Sequence, residues 1–319
     1  MIDCPRHVLS SPEFLKITFH VITIIAIPIH TFGFYCIIRK TPKHMDSVKM
    51  LLFNLHCWCV LLDIAITVFG IPYIFLPALA GYQLGFVDAP ALVFYLVVTF
   101  LTGVSTSIFV IYENRYHILF GRNCSWRFFR KYCIVLSYCL VPLYFVAPIF
   151  SVPEQETARK IVWESLSCAP EIPEGHFDFF VISLNIRLMA ITIAIAEGVP
   201  FFQILIFFSL NFYNLILARQ PSGLSRKTTQ MQNRLVLALF VQSSVTFVIF
   251  LVPVNGIILF VYTGYHNQIL NNFVFLAFAS HGTVIMVVAH KPYRQFFSLL
   301  SIRSSRKATI MVVNSDVRL

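Results

Sequence analysis

The chain has 319 residues and a net charge of +10; 58% of its residues are hydrophobic and 12% are charged, against about 25% charged in an ordinary soluble domain. The length alone would allow a pair of soluble domains, but the apolar residues fall in blocks long enough to cross a bilayer, which argues against it. The basic residues sit in short clusters between apolar blocks, so the positive charge points to a membrane surface and not to nucleic acid.

The first 14 residues carry Asp3, Arg6 and Glu13. They lack the basic start, short apolar core and cleavage site of a signal peptide. Seven apolar blocks follow, at about 15–38, 48–73, 89–112, 132–152, 191–217, 235–261 and 269–289. Each approaches or exceeds the roughly 20 residues that cross a bilayer as a helix. Buried helices of a soluble core are shorter and do not recur seven times. Continuous apolar runs also argue against a membrane barrel, whose strands alternate. The expected fold is all-α: a bundle of seven transmembrane helices.

Within the blocks, ionisable groups are costly and point to function. Asp63 lies midway through the second. It is either a switch residue or a group bonded to a neighbouring helix through Asn54 or a span hydroxyl. The third block contains Thr99, Thr102, Ser105, Thr106 and Ser107, small residues that allow close helix packing. It ends abruptly in Tyr112-Glu113-Asn114-Arg115-Tyr116. Glu197 lies in the outer part of the fifth block, facing a ligand cavity or the preceding loop, and His281 lies in the seventh. Prolines at 28, 72, 142, 148, 200 and 253 fit kinks or hinges. Leu224 onward runs into the sixth block without Pro or Gly, a helix projecting from the bilayer with Arg226, Lys227 and Arg234 exposed. After the seventh block, Pro292 suits a helix start. Tyr293, Phe296, Phe297 and Leu300 then share one face, as in a short amphipathic helix on the membrane surface. The residues after Arg303 read as a disordered tail.

Numbering the connections alternately by side leaves five of the 24 basic residues with the N-terminus and nineteen on the other side. The positive-inside rule places the nineteen in the cytoplasm, so the N-terminus is expected outside and the C-terminus inside. On this topology the glycosylation signal Asn123-Cys124-Ser125 is cytoplasmic and unused. The longest outside connection, 153–190, is acidic and reads as a lid, or else as a solvated linker. Of the eight cysteines, only Cys4 and Cys168 fall in outside segments, where disulfides persist. They are either bridged, pinning the N-terminus to the long loop, or two free thiols. No cysteine has zinc-ligand company, so no metal or other cofactor is expected. The chain lacks a His-Glu-x-x-His motif, a Gly-x-Ser-x-Gly elbow and a phosphate-binding glycine loop, so no enzyme is expected. The seventh block has no lysine for a retinal Schiff base. A transporter or ion-channel subunit is the alternative class, but Asp63, Glu197 and His281 are too scattered to line a path.

Four stretches carry a family resemblance: "TPKHMDSVKMLLFNLHCWCVLLDIAITVFGIPYIFLPALAGYQLG" (41–85), "IYENRYHIL" (111–119), "LSRKTTQMQNRLVLALFVQ" (224–242) and "SHGTVIMVVAHKPYRQFF" (280–297). With seven spans and the Arg-Tyr at the inner end of the third, the chain resembles the nematode serpentine receptors of class H, within the G-protein-coupled receptors. The resemblance implies a chemoreceptor domain over 1–302 with a cytoplasmic tail over 303–319. It implies a small-molecule ligand, a heterotrimeric G protein as partner, and the plasma membrane of chemosensory neurons or their cilia. It makes Arg115-Tyr116 the G-protein contact, joined by Arg226, Lys227 and Arg234 when the sixth span swings about Pro253. Asn114 stands where rhodopsin-like receptors carry an acid, with Glu113 one step earlier. Residues two apart do not face each other on a helix, so Glu113 is poorly aimed at Arg115, while His117 is within its reach. Lys291-Pro292-Tyr293-Arg294 marks the corner between the seventh span and the following helix. Positions 89–92 hold no cysteine, which removes the bridge usual in such receptors and leaves Cys4 as partner for Cys168.

Overall fold

Ser11 and Pro12 start the first long helix of the computed structural model, which describes residues 4, 7–40, 46–121, 124–166, 168–175, 178–214, 255–280 and 283–284. Ser11 takes extended backbone and its hydroxyl accepts the Phe14 N–H at 3.1 Å. Pro12 fills the first helical position, where an N–H would be unpaired anyway. Helix α1 spans Pro12–Tyr35 and widens into a π-type turn over Cys36–Lys40. Helix α2 spans Asp46–Ile64 and widens similarly over Ala65–Gly70. It stops because Pro72 disfavours helical backbone in the residue before it. Ile71 is held at φ 44° by bonds from its N–H to Ile66 and from Leu84 to its carbonyl, at 2.8 and 3.1 Å.

Helices α3 (Pro90–Leu119), α4 (Trp126–Leu140), α5 (Val146–Phe150), α6 (Gln155–Ser165) and α7 (Ile186–Phe212) follow. Then come α8 over 255–263 and α9 (Gln268–Ala279). Asn185 and Asn267 cap α7 and α9 through their side-chain oxygens. Among the described residues, four helical stretches are long and apolar enough to cross a membrane: Pro12–Arg39, Lys49–Gly70, Pro90–Ile118 and Ile186–Phe212. They fall on the first, second, third and fifth apolar blocks. Helix α3 is central, packed along α2 on one side and α7 on the other. Gly103 permits the close approach to α2, because a Cβ there would collide with the ring of Trp58.

One end of the bundle carries a folded cap. Strand β1 (Pro72–Ile74) pairs antiparallel with β2 (Ala80–Gln83), and β2 pairs with β3 (Phe180–Val181). A small sheet therefore interrupts the otherwise helical chain. The connection 153–190 is neither bare linker nor unstructured loop. Its helix α6 lies along β3, and the Gln155 side chain accepts from the Val181 N–H at 2.9 Å and donates to its carbonyl at 3.2 Å. Arg159 bonds the Phe179 carbonyl and Asp178, each at 2.8 Å. The rings of Phe75, Tyr82 and Phe179 meet edge to face, and Trp163 stacks on Phe179. Burial pushes the Tyr82 phenol up, with Asp178 adding to the shift and Arg159 opposing it.

A disulfide joins Cys4 to Cys168 across 164 residues, and Cys4 N–H bonds the Ala169 carbonyl at 3.0 Å. Closing so long a loop constrains the unfolded chain, and a native bridge typically contributes about 2–5 kcal/mol. Cys4→Ser and Cys168→Ser are expected to lower the thermal midpoint equally, and the double variant no further. Unequal single losses would assign one of the cysteines a role outside the bridge.

Three helix limits differ from the sequence expectation, each for a local reason. The third apolar block ends at 112, while α3 continues to Leu119, with Glu113 and Asn114 bonded to α4. The fourth was expected over 132–152. Instead α4 starts at Trp126 and ends at Leu140, because Pro142 has no N–H for the carbonyl of Tyr138. The Pro142 carbonyl is taken by Tyr95 Oη at 2.8 Å. The fifth starts earlier, at Ile186, where Asn185 caps it. Arg226, Lys227, Arg234, Pro253, His281, Lys291, Pro292, Tyr293, Arg294 and Asn123 lie outside the described residues, as does the helix expected after the seventh span.

Candidate functional site

Buried polar groups are distributed along α3, and each ties it to a different neighbour. At the end away from the cap, Glu113 is 0% exposed. Arg130 Nε donates to both of its oxygens, at 2.8 and 2.9 Å, and Trp126 Nε1 donates to Oε1 at 2.8 Å. Arg130 Nη2 donates to Asn114 Oδ1 at 2.9 Å. Trp126 and Arg130 are four apart, so they share one face of α4 and converge on one turn of α3. A charge in this low-dielectric interior survives because a fork of donors satisfies it.

This answers where Glu113 points. Both of its oxygens accept from α4, through Arg130 and Trp126. Arg115 lies two residues on, around the helix from Glu113, and is buried at 8% exposure. Its Nε has no hydrogen-bond partner among the described residues. Tyr116 packs its ring on Phe207 of α7, with centroids 5.6 Å apart, and Asn211 Nδ2 donates to the Tyr112 carbonyl at 3.1 Å.

Further toward the cap, Asn54 Nδ2 donates to Ser107 Oγ at 2.9 Å and to Tyr138 Oη at 2.6 Å, joining α2, α3 and α4. Asn54 is therefore not the partner of Asp63. Asp63 Oδ2 instead lies 2.7 Å from His30 Nε2 on α1 and accepts from Thr283 Oγ1 at 3.0 Å. His56 Nε2 bonds the His30 carbonyl at 3.1 Å, and the two imidazoles meet edge to face at 5.3 Å. His30 and His56 were missed in the sequence reading. The signal was present, since a histidine inside an apolar span is itself an unusual residue.

Glu197 sits eleven residues into α7, roughly 16 Å along its axis. Its Oε1 accepts from Thr102 Oγ1 at 2.9 Å and its Oε2 from Ser105 Oγ at 2.7 Å. Thr102 and Ser105 are three apart and share a face of α3. The run of hydroxyls expected to serve close packing thus supplies the donors for a carboxylate, and Glu197 faces α3 and not the cap. Among the described residues, one group of metal-ligand types converges: Cys4, Cys168 and His266. Its sulfurs are bonded to each other, which leaves no thiolate for a metal.

The sequence can be set beside known families. Residues 10–302 match the family described as serpentine type 7TM GPCR chemoreceptor Srh. Serpentine receptor class H-72 of Caenorhabditis elegans is 25% identical over 329 residues, covering 98% of this chain and 92% of that protein. The match takes in the long apolar helices, the cap and the Glu113–Arg130 cluster alike. The chain therefore belongs to the Srh family of serpentine chemoreceptors, as an integral, multi-pass membrane protein with a seven-transmembrane helical fold.

Proposed function

We propose that this chain binds a small molecule from outside the cell and signals to a heterotrimeric G protein. The observation that carries the reading is Arg115, buried at the end of α3 away from the cap, its Nε unpartnered among the described residues. Its neighbour Glu113 is committed to α4 and does not restrain it. A ligand with higher affinity for an opened bundle shifts the population toward that state, and Arg115 becomes available to a Gα subunit. Tyr116, Arg226, Lys227 and Arg234 complete the contact, Pro253 is the hinge of the sixth span, and 291–294 form the corner to a helix on the lipid surface. The receptor domain covers 1–302 and the cytoplasmic tail 303–319.

Two observations support a cap that faces outward. Disulfides persist in oxidising compartments, and the bridge lies in the cap. Numbering the connections alternately along the sequence assigns nineteen of the 24 basic residues to the opposite side, which fits the cytoplasm. The plasma membrane of chemosensory neurons or their cilia is the location in keeping with this role.

A ligand-panel screen of G-protein activation in cells expressing the chain, paired with Arg115→Ala, tests the proposal. The expected result is a response that disappears in the variant while its surface level is kept. A response that persists would discard Arg115 as the contact. Ligand-evoked current in cells lacking G proteins would favour a channel or transporter.

A further inference from the structure

From the surroundings of Glu197 we infer the ligand class: a small organic cation, most simply a protonated amine, whose positive group is anchored by the Glu197 carboxylate. The inference rests on the receptor reading above. Glu197 is seated against α3, and the contrast with Glu113, an acid of α3 itself, is informative. Glu113 is fully buried and paired with Arg130. Glu197 is only half-buried, and it accepts from two neutral hydroxyls; no ion pair to it occurs among the described residues. Removing a carboxylate from water costs several kcal/mol unless a cation offsets it, and among the described residues none is paired with Glu197.

The local chemistry favours a donor-rich cation over other ligands. An ionised carboxylate has about four acceptor sites. Thr102 and Ser105 use one on each oxygen and fix the plane of the group, leaving acceptor capacity on both. Pro200, inside α7, has no N–H to give to the carbonyl of Ala196. The same turn of α7 thus carries a second acceptor without its helical donor. An ammonium group brings both the missing charge and up to three N–H donors. A carboxylate ligand would meet like charge, and a neutral alcohol would bring one donor and no charge.

The test uses the purified full-length chain and reads its thermal unfolding midpoint. Alkylamines from trimethylamine to octylamine are compared with the alcohols and carboxylic acids of matching length. The expected result is a midpoint that rises with amine concentration and does not move with the alcohols or acids. Glu197→Gln is expected to weaken the amine effect by roughly thirtyfold or more, the cost of losing a desolvated charge pair. Glu197→Asp, which keeps the charge on a shorter arm, is expected to weaken it less, and covers the case in which Glu197→Gln does not fold. No shift with any amine, or a shift unchanged in both variants, would overturn the assignment. Amine binding without G-protein activation would defeat the coupling proposal and leave this site standing. Activation by neutral or acidic compounds alone would do the reverse.

Discussion

Replacing Arg130 by Met is expected to destabilise the folded chain by about 3–5 kcal/mol, because it strands Glu113 as an unpaired charge in the interior. Glu113 is 0% exposed and would keep only the Trp126 N–H of its present donors. The reverse substitution is expected to cost less, roughly 1–2 kcal/mol. Glu113→Gln retains an acceptor for Trp126, and the Arg130 side chain is 26% exposed, so its head can turn to the surface. The double variant Glu113→Gln with Arg130→Met is expected to recover more than half of the Arg130→Met loss. Thermal unfolding of the four purified proteins checks this. If Arg130→Met is tolerated within about 1 kcal/mol, the pair does not hold α4 against α3. The same cycle read in the G-protein assay separates stability from signalling, because Arg115 takes no part in the pair.

Gly81→Ala is expected to be the most damaging single methyl in the cap. A Cβ at Gly81 would overlap the Tyr73 carbonyl oxygen and come within 2.7 Å of Ile74 Cα. Both are backbone atoms of the paired strand and cannot rotate away. Gly81 lies in the middle strand, opposite Ile74 on one side and Phe180 on the other. Relief requires the sheet to part, at a cost of about 3 kcal/mol or more. The cap would then lose its hold on α6, and surface expression should fall sharply. Gly198→Ala is the control: its Cβ meets nothing within 4 Å. Replacing a mid-helix glycine by alanine should raise stability by about 0.5–1 kcal/mol. Equal behaviour of the two variants would mean that the hairpin has slack that its packing does not show.

Several features of the site could be read from residue order, and others could not. Asp63 and Glu197 stood out because a charge inside an apolar block is conspicuous whatever it touches, and Glu113 because it ends such a block abruptly. Their partners did not. Arg130 looked like one more basic residue following the third block, yet it turns inward to Glu113. The Trp126–Arg130 spacing was legible as one helix face, but only the packing of α4 on α3 shows which acid that face meets. Likewise Thr102 and Ser105 read as small packing residues until α7 brought Glu197 to them. The cap was hidden for another reason. Its strands are two to four residues long, too short for alternation to register, and β3 pairs with a strand about a hundred positions earlier.

By itself the sequence determined the membrane class, the number of apolar blocks and the family, through the Glu-Asn-Arg-Tyr and Lys-Pro-Tyr-Arg stretches together with their spacing. These are properties of composition and local order: twenty apolar residues favour a bilayer whatever their neighbours are. Only the tertiary structure decided which buried charge pairs with which donor, and that the long acidic connection folds into a cap around Phe179. Those outcomes depend on contacts between residues far apart in the chain. A buried polar group is stable only where packing supplies its partner.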